Sequence, residues 1–190
     1  MFHLTTERPS DGPAIEKLLD AAFGGPARHS KRSYHYRQGV APDRYLRLVA
    51  RSDANGALLG TIRYWPVSVG GSKALLLGPV AALPALKGKG IGKSLIWRSL
   101  DMASWANHRL VLLVGDLGYY GQFGFGPAAD DGISMPGEQQ DRLQCIWLDR
   151  LARGQIAGSI ERWGGSRTRI TASPFGSDDT QEPSLRASHA

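Results

Sequence analysis

The stretch Val80-Ala81-Ala82-Leu83-Pro84-Ala85-Leu86-Lys87-Gly88-Lys89-Gly90-Ile91-Gly92-Lys93-Ser94 joins an apolar run, through a loop dense in glycine and lysine, to the most regular helical pattern of the chain. At about 100° per residue, Ile91, Gly92, Leu95, Ile96, Leu100, Met102, Ala103 and Ala106 fall in one half of the wheel, with Lys93, Arg98, Asp101 and Ser104 opposite. Such a helix lays one face on a sheet. Upstream, Lys73 to Leu83 reads as a strand interrupted by Gly78 and Pro79. Proline cannot donate a ladder hydrogen bond, so a bulge or an edge position is expected there. Downstream, Leu110 to Val114 is a continuous apolar run bounded by Arg109 and Gly115, the pattern of a buried strand, commonly parallel to a neighbour. Strand, helix and strand make a central βαβ unit with a right-handed crossover. The expected fold class is mixed α/β (α+β), a twisted mixed β-sheet flanked by helices.

Working outward, Ser10 or Asp11 can cap a first helix carrying Ile15, Leu18, Leu19 and Phe23, which Gly24, Gly25 and Pro26 stop. Arg28 to Arg37 has a helix-compatible composition. Tyr45 to Arg51 and Ala57 to Val69 alternate as strands around an Asp53-to-Gly56 turn, giving a hairpin. Further strands are expected around Gly132 to Ser134 and Leu143 to Leu148, the latter burying Cys145. From Gly164 the composition turns to Gly, Ser, Thr, Pro and Asp, so 1–163 reads as one domain and 164–190 as an extension, partly a disordered tail.

With 190 residues, 42% hydrophobic and 21% charged, a single globular domain is the natural reading. Ala74 to Leu86, the longest apolar stretch, is broken by Gly78, Pro79 and Pro84 and falls short of the roughly 20 residues of a membrane span. The start of the chain shows no secretory pattern, so the expected compartment is the cytoplasm. A lone cysteine excludes an internal disulfide and a Cys-based zinc site. The histidines lack metal-ligand spacing, and no metal is expected. The net charge of +6 is uneven: Arg28, Lys31, Arg32, Arg37, Arg44, Arg47 and Arg51 face Asp43 alone, and the rest of the chain is formally neutral. Such a segment points to an anionic ligand or to a solvated face.

The glycine loop has the makings of an anion cradle. Glycines let backbone amides approach an anion, and the unsatisfied N–H groups at a helix start carry the positive end of its dipole. It is not a nucleotide P-loop, because the position five residues before Gly92 is Lys87 rather than glycine. Nor is it the dinucleotide fingerprint, since neither Gly88 nor Gly90 begins Gly-x-Gly-x-x-Gly.

Lys87-Gly88-Lys89-Gly90-Ile91-Gly92 resembles the pyrophosphate loop Gln/Arg-x-x-Gly-x-Gly/Ala of the GNAT superfamily of acyl-CoA-dependent N-acetyltransferases. The preceding Val80 to Pro84 and the following Tyr119-Tyr120-Gly121-Gln122-Phe123-Gly124-Phe125 fit the same family, the latter as its Tyr-x-x-x-Gly-Phe element. Gly115 and Asp116 ahead of this element are similar to the bacterial YhbS-like subgroup of acetyltransferases. The resemblance covers roughly the first three quarters of the chain. Lys87 departs from it, keeping the charge of arginine without its planar fork. The resemblance implies a GNAT-like sheet whose βαβ unit binds acetyl-CoA as cosubstrate. Val80, Ala81, Ala82, Lys87, Gly88, Lys89, Gly90, Ile91, Gly92, Lys93 and Ser94 would form the cofactor site, with the strand around Ala82 pairing with the pantetheine arm.

Acetyl transfer to an amine passes through a tetrahedral oxyanion and expels a thiolate, so it needs an amide donor and an acid. A strand disturbed at Gly78 and Pro79 can free the amide of Val80 or a near neighbour. Tyr120 is the expected acid, neutral at pH 7 with an ordinary pKa of about 10, and Tyr119 is the fallback. Asp116, His29, His35 and Glu161 are unranked candidates for the base. The expected acceptor is the primary amine of a small molecule or peptide. The basic segment favours one with an acidic group near the amine, in which case neutralising Arg32 and Arg37 raises KM for acidic acceptors. Two other readings stand beside this one: a basic nucleic-acid-binding module using Tyr34, Tyr36 and Tyr45 for stacking, and a silent acyl-CoA sensor. No nucleic-acid motif is recognisable, so nucleic acid is not the expected partner. Trp97 and Trp105, on the polar half of the long helix, suggest a second contact, with the C-terminal segment or in a homodimer.

Overall fold

The computed structural model describes residues 1–25, 28 and 32–164, Arg32 by its backbone alone. Along the chain run β1 (Phe2–Thr6), α1 (Gly12–Phe23), α2 (Arg32–His35), β2 (Arg47–Ser52), β3 (Leu58–Val69) and β4 (Ser72–Ala82). They are followed by α3 (Ile91–Trp105), β5 (Leu110–Val114), α4 (Leu117–Tyr120), β6 (Gly126–Pro127), β7 (Ile133–Ser134), β8 (Leu143–Trp147) and β9 (Gly158–Arg162). Among the described residues the strands form one sheet in the order β1-β2-β3-β4-β5-β8-β6, with β9 on β3 and β7 on β9. The β4–β5 pair is parallel and joined by α3, as the βαβ reading requires. No described helix is long and apolar enough to cross a membrane.

Side-chain alternation divides the core between the two faces of this sheet. Leu75, Leu77, Val111 and Leu113 pack with Ile91, Leu95, Ile96 and Leu100 of α3. Ala74, Leu76, Leu110 and Leu112 pack on the other face with Cys145, Ile133 and Ile160. This explains why β5 is apolar at every position. Helix α1 covers Val49 and Ala81 with Ile15, Leu18 and Leu19. It ends at Gly24, whose φ of 84° is open to glycine without strain and whose N–H bonds to Asp20 O. Asp11 stands at its N-cap, but its carboxylate accepts from Arg8 N and pairs with Arg51 at 2.6 Å instead of capping.

Several expectations are corrected. Of the helix expected over Arg28 to Arg37, the described part is Arg32–His35, ending two residues early, with 29–31 outside the described residues. Three strands were not anticipated: β1, β6 and β9. Two of them hold only five residues and one only two, and each exists because an exposed strand edge offers it a partner. The basic segment does not spread as one free face. Arg28 is buried against Glu16 and Asp20, Arg51 holds Asp11, Arg44 stacks on Tyr45, and Tyr36 is buried. Trp97 lies edge-on to Phe123 at 5.3 Å, whereas Trp105 is 88% exposed. The extension expected over 164–190 lies, beyond Gly164, outside the described residues.

Candidate active site

The strand interruption is a bulge. Between the pairs Ile62↔Val80 and Tyr64↔Leu77, Gly78 and Pro79 together face Arg63. One extra residue exchanges the faces of everything beyond it. Val80 and Ala82 therefore join Leu77 on the α3 side, and Ala81 turns to α1. Trp65 pins the bulge by donating from Nε1 to Gly78 O at 2.7 Å.

The same strand then loses its other neighbour. Pairing of β4 with β5 is confined to Leu75↔Val111 and Leu76↔Leu112, so the two strands part beyond it. Leu83 N–H donates to Leu59 O at 2.9 Å. Bonded and non-bonded pairs alternate in an antiparallel ladder, so Ala81 presents its amide to β3, and Val80 and Ala82 present theirs to the opened side. This edge is a ready partner for an extended ligand.

Two cavities meet at the opening. The larger, about 660 Å³, runs from Val80 to Leu83 along the loop to Gly88, Gly90, Ile91, Gly92 and Lys93, and is closed by Tyr119 and Tyr120. The smaller, about 120 Å³, is lined by Arg28, Ser33, Tyr34, Arg37, Gly78, Pro79 and Val114 among others. Val80 and Tyr120 line both.

Each wall follows from local sequence. Gly88 and Gly90 both adopt φ of 81°, which turns the loop into α3, and a Cβ at either would meet nothing within 4 Å. No side chain caps α3 at Gly90, so its first amides are available to a ligand. Lys87, Lys89 and Lys93 are exposed and form no ion pair among the described residues. The predicted set comes together around this cavity except for Lys89 and Ser94, which stand outside its lining. Ser94 already donates the first helical hydrogen bond, to Gly90 O.

Tyr120 is positioned by aromatic packing. Its ring is perpendicular to that of Tyr119 at 5.0 Å and edge-on to Phe125 at 6.0 Å. Burial, with a lesser push from Tyr119, raises its pKa to about 12. Burial also raises that of Tyr119, whose hydroxyl lies near Gly92. Sequence reasoning missed Gly115 as a positioning residue: a Cβ there would lie 2.2 Å from Tyr120 Cε2. Its place just ahead of the tyrosines was the only available signal.

The proposed bases fare differently. Asp116 caps α4, accepting from Tyr119 N at 3.2 Å. His35 and Glu161 are exposed, and His29 is outside the described residues. Neither Asp116, His35 nor Glu161 lines the smaller cavity, and no other carboxylate or imidazole among the described residues does so.

The comparisons agree with this architecture. Residues 5–128 match the family model of an acetyltransferase (GNAT) domain. The N-acetyltransferase YhbS of Escherichia coli K12 is 30% identical over 160 residues, spanning 82% of this chain and 90% of that protein. The crystal structure of E. coli YhbS in complex with CoA superposes with a TM-score of 0.74 at 27% identity, over 85% of this chain and 89% of that one. A GNAT family acetyltransferase from Brucella melitensis, in complex with acetyl-CoA, gives a TM-score of 0.64 at 30% identity, over 86% of this chain and 97% of that one. A glycine-cradled helix start, a splayed strand pair and a family match across most of the chain make this protein a member of the GNAT family of acetyltransferases.

Proposed function

We propose that the protein transfers an acetyl group from acetyl-CoA to the primary amine of an acceptor by direct attack on the thioester. The observation that carries this reading is the junction of the two cavities at Val80 and Tyr120. The free amides at the start of α3, with Lys87 and Lys93 beside them, suit a pyrophosphate. The open edge of β4 suits the pantetheine arm, with Ala82 as its pairing partner.

At the junction Val80 N–H donates to the thioester oxygen as the amine nitrogen bonds to the carbonyl carbon. Tyr120 Oη then gives its proton to sulfur as the C–S bond breaks. A phenol of pKa about 12 is a weaker acid than a thiol, so this transfer accompanies cleavage rather than preceding it. The acceptor nitrogen sheds its own proton to water.

The reading is tested by titrating the protein with acetyl-CoA in a calorimeter, then following CoA release with a panel of primary amines. Saturable 1:1 binding and amine-dependent release are expected. A folded protein that binds no acetyl-CoA overturns the reading, and one that binds it but releases CoA with no amine reduces it to acyl-CoA binding.

Gly115→Ala supplies a check on the geometry. The added methyl must displace the Tyr120 ring, so kcat falls at least about tenfold while acetyl-CoA affinity stays within about threefold. An unchanged kcat would remove Tyr120 placement from the account.

A further inference from the structure

Arg37 is the one described arginine of the acceptor-side cavity left without a carboxylate. It is 9% exposed, and its Nε and Nη1 are buried with no hydrogen-bond partner among the described residues. Its neighbours are satisfied. Arg28 holds Asp20 through Nε at 2.9 Å and Glu16 through Nη2. Arg63 holds Glu7 through Nε and Nη2 at 2.8 and 2.9 Å.

What Arg37 does have is aromatic. Its guanidinium carbon lies 4.5 Å from the centroid of Tyr34 and 5.8 Å from that of Trp65. Ring faces stabilise a cation but accept none of its in-plane N–H bonds. Gly78 gives the group its room, because a Cβ there would sit 2.8 Å from Nη2. The bulge that turns Val80 toward the opening thus also seats the guanidinium. Burial draws the pKa of Arg37 down to about 10 against the opposing pull of a side-chain hydrogen bond to Tyr34, which leaves it a cation at neutral pH with Nε and Nη1 still unpartnered among the described residues.

We propose that Arg37 is the specificity residue for the acceptor, receiving a carboxylate that stands within a few bonds of the amine to be acetylated, as in a free amino acid. This deepens the acetyltransfer reading and rests on it. The cavity that holds both Arg37 and the Val80–Tyr120 junction is about 120 Å³, well below the roughly 300 Å³ at which drug-sized pockets begin. An amine at the junction and an anion at Arg37 fit one small fragment, and the adjoining cavity of about 190 Å³, which Arg37 lines together with Glu16, Arg63 and Trp65, leaves room for substituents beyond the anion. A carboxylate matches the planar guanidinium and supplies the acceptors it lacks.

The test pairs each amino acid with its primary amide, as acceptors with acetyl-CoA. The amide's amine is the less basic, so a faster acid does not owe its rate to deprotonation. For at least one pair the acid is expected to exceed the amide about 100-fold in kcat/KM. Arg37→Met is expected to bring that ratio within about threefold, by raising KM for the acid while acetyl-CoA affinity stays unchanged. Arg37→Lys keeps the charge and restores part of the preference. A second readout needs no turnover. In ¹⁵N spectra, N-acetylglycine shifts the Nε–H resonance that Arg37→Met removes, and N-acetylglycinamide does not.

Equal rates for acid and amide in the wild type overturn the proposal, as does an Arg37→Met protein slowed alike on both. If no acid reacts, an Nε–H resonance unmoved by N-acetylglycine overturns it too, and a shifted one supports it. Failure to bind acetyl-CoA at all would instead strike the acetyltransfer reading beneath it.

Discussion

Tyr120→Phe lowers kcat by about 10²- to 10³-fold and leaves the Kd for acetyl-CoA within about threefold, measured by CoA release and by calorimetry. The size follows from its task. Without the phenol, the departing thiolate must take its proton from water, and the ring that remains still fills the space against Tyr119, Phe123 and Phe125. The pH profile distinguishes this acid from a carboxylic one. Tyr120 titrates near 12, so it stays protonated across the assay range and imposes no descending limb on kcat below about pH 11. Activity rises with pH toward the acceptor's own pKa, because the acceptor is mostly protonated below it. A fall in kcat between pH 7 and 9 would assign the acid to another group. So would a Tyr120→Phe enzyme of full activity with Tyr119→Phe inactive.

Gly90→Glu abolishes measurable acetyl-CoA binding, a loss of at least about 10²-fold in Kd. Two effects combine. The variant places a carboxylate at the uncapped start of α3, where the amides that would receive phosphate lie, and it forces a side chain into φ of 81°. Gly90→Asn separates them, because asparagine tolerates that conformation and carries no charge. It should weaken binding less than about tenfold. A Cβ at this position meets nothing within 4 Å, so both variants should fold. Equal losses in Asn and Glu variants would mean that the loop's shape, rather than its field, controls affinity.

How much of this was legible beforehand depended on whether the signal was local. The βαβ unit was, since Leu95, Ile96, Leu100 and Ala103 announce a helix face, and Leu110 to Val114 a strand buried on both sides. The Gly78-Pro79 bulge was also legible, because proline cannot serve a central ladder unchanged. Which way the bulge turns Val80 was not, for that depends on register with β3. The strands β1, β6 and β9 exist through pairing partners distant in sequence, and nothing in Phe2–Thr6 alone separates it from a loop. The basic segment illustrates the same limit. Seven cations read as one patch, yet Arg28 and Arg51 are taken up by carboxylates from α1 and its N-cap, and among the described residues Arg37 is the buried cation of the acceptor-side cavity that has no carboxylate. Asp116, one of four unranked candidates for the base, caps α4, a role set by the helix that follows it.

The most direct test of the account is a crystal structure of the protein with acetyl-CoA. The pyrophosphate is expected on the amides from Gly88 to Lys93, the thioester oxygen about 3 Å from Val80 N, and the sulfur within reach of Tyr120 Oη. A thioester lying elsewhere, with Val80 N–H bonded to the protein and Tyr120 remote from sulfur, would contradict it.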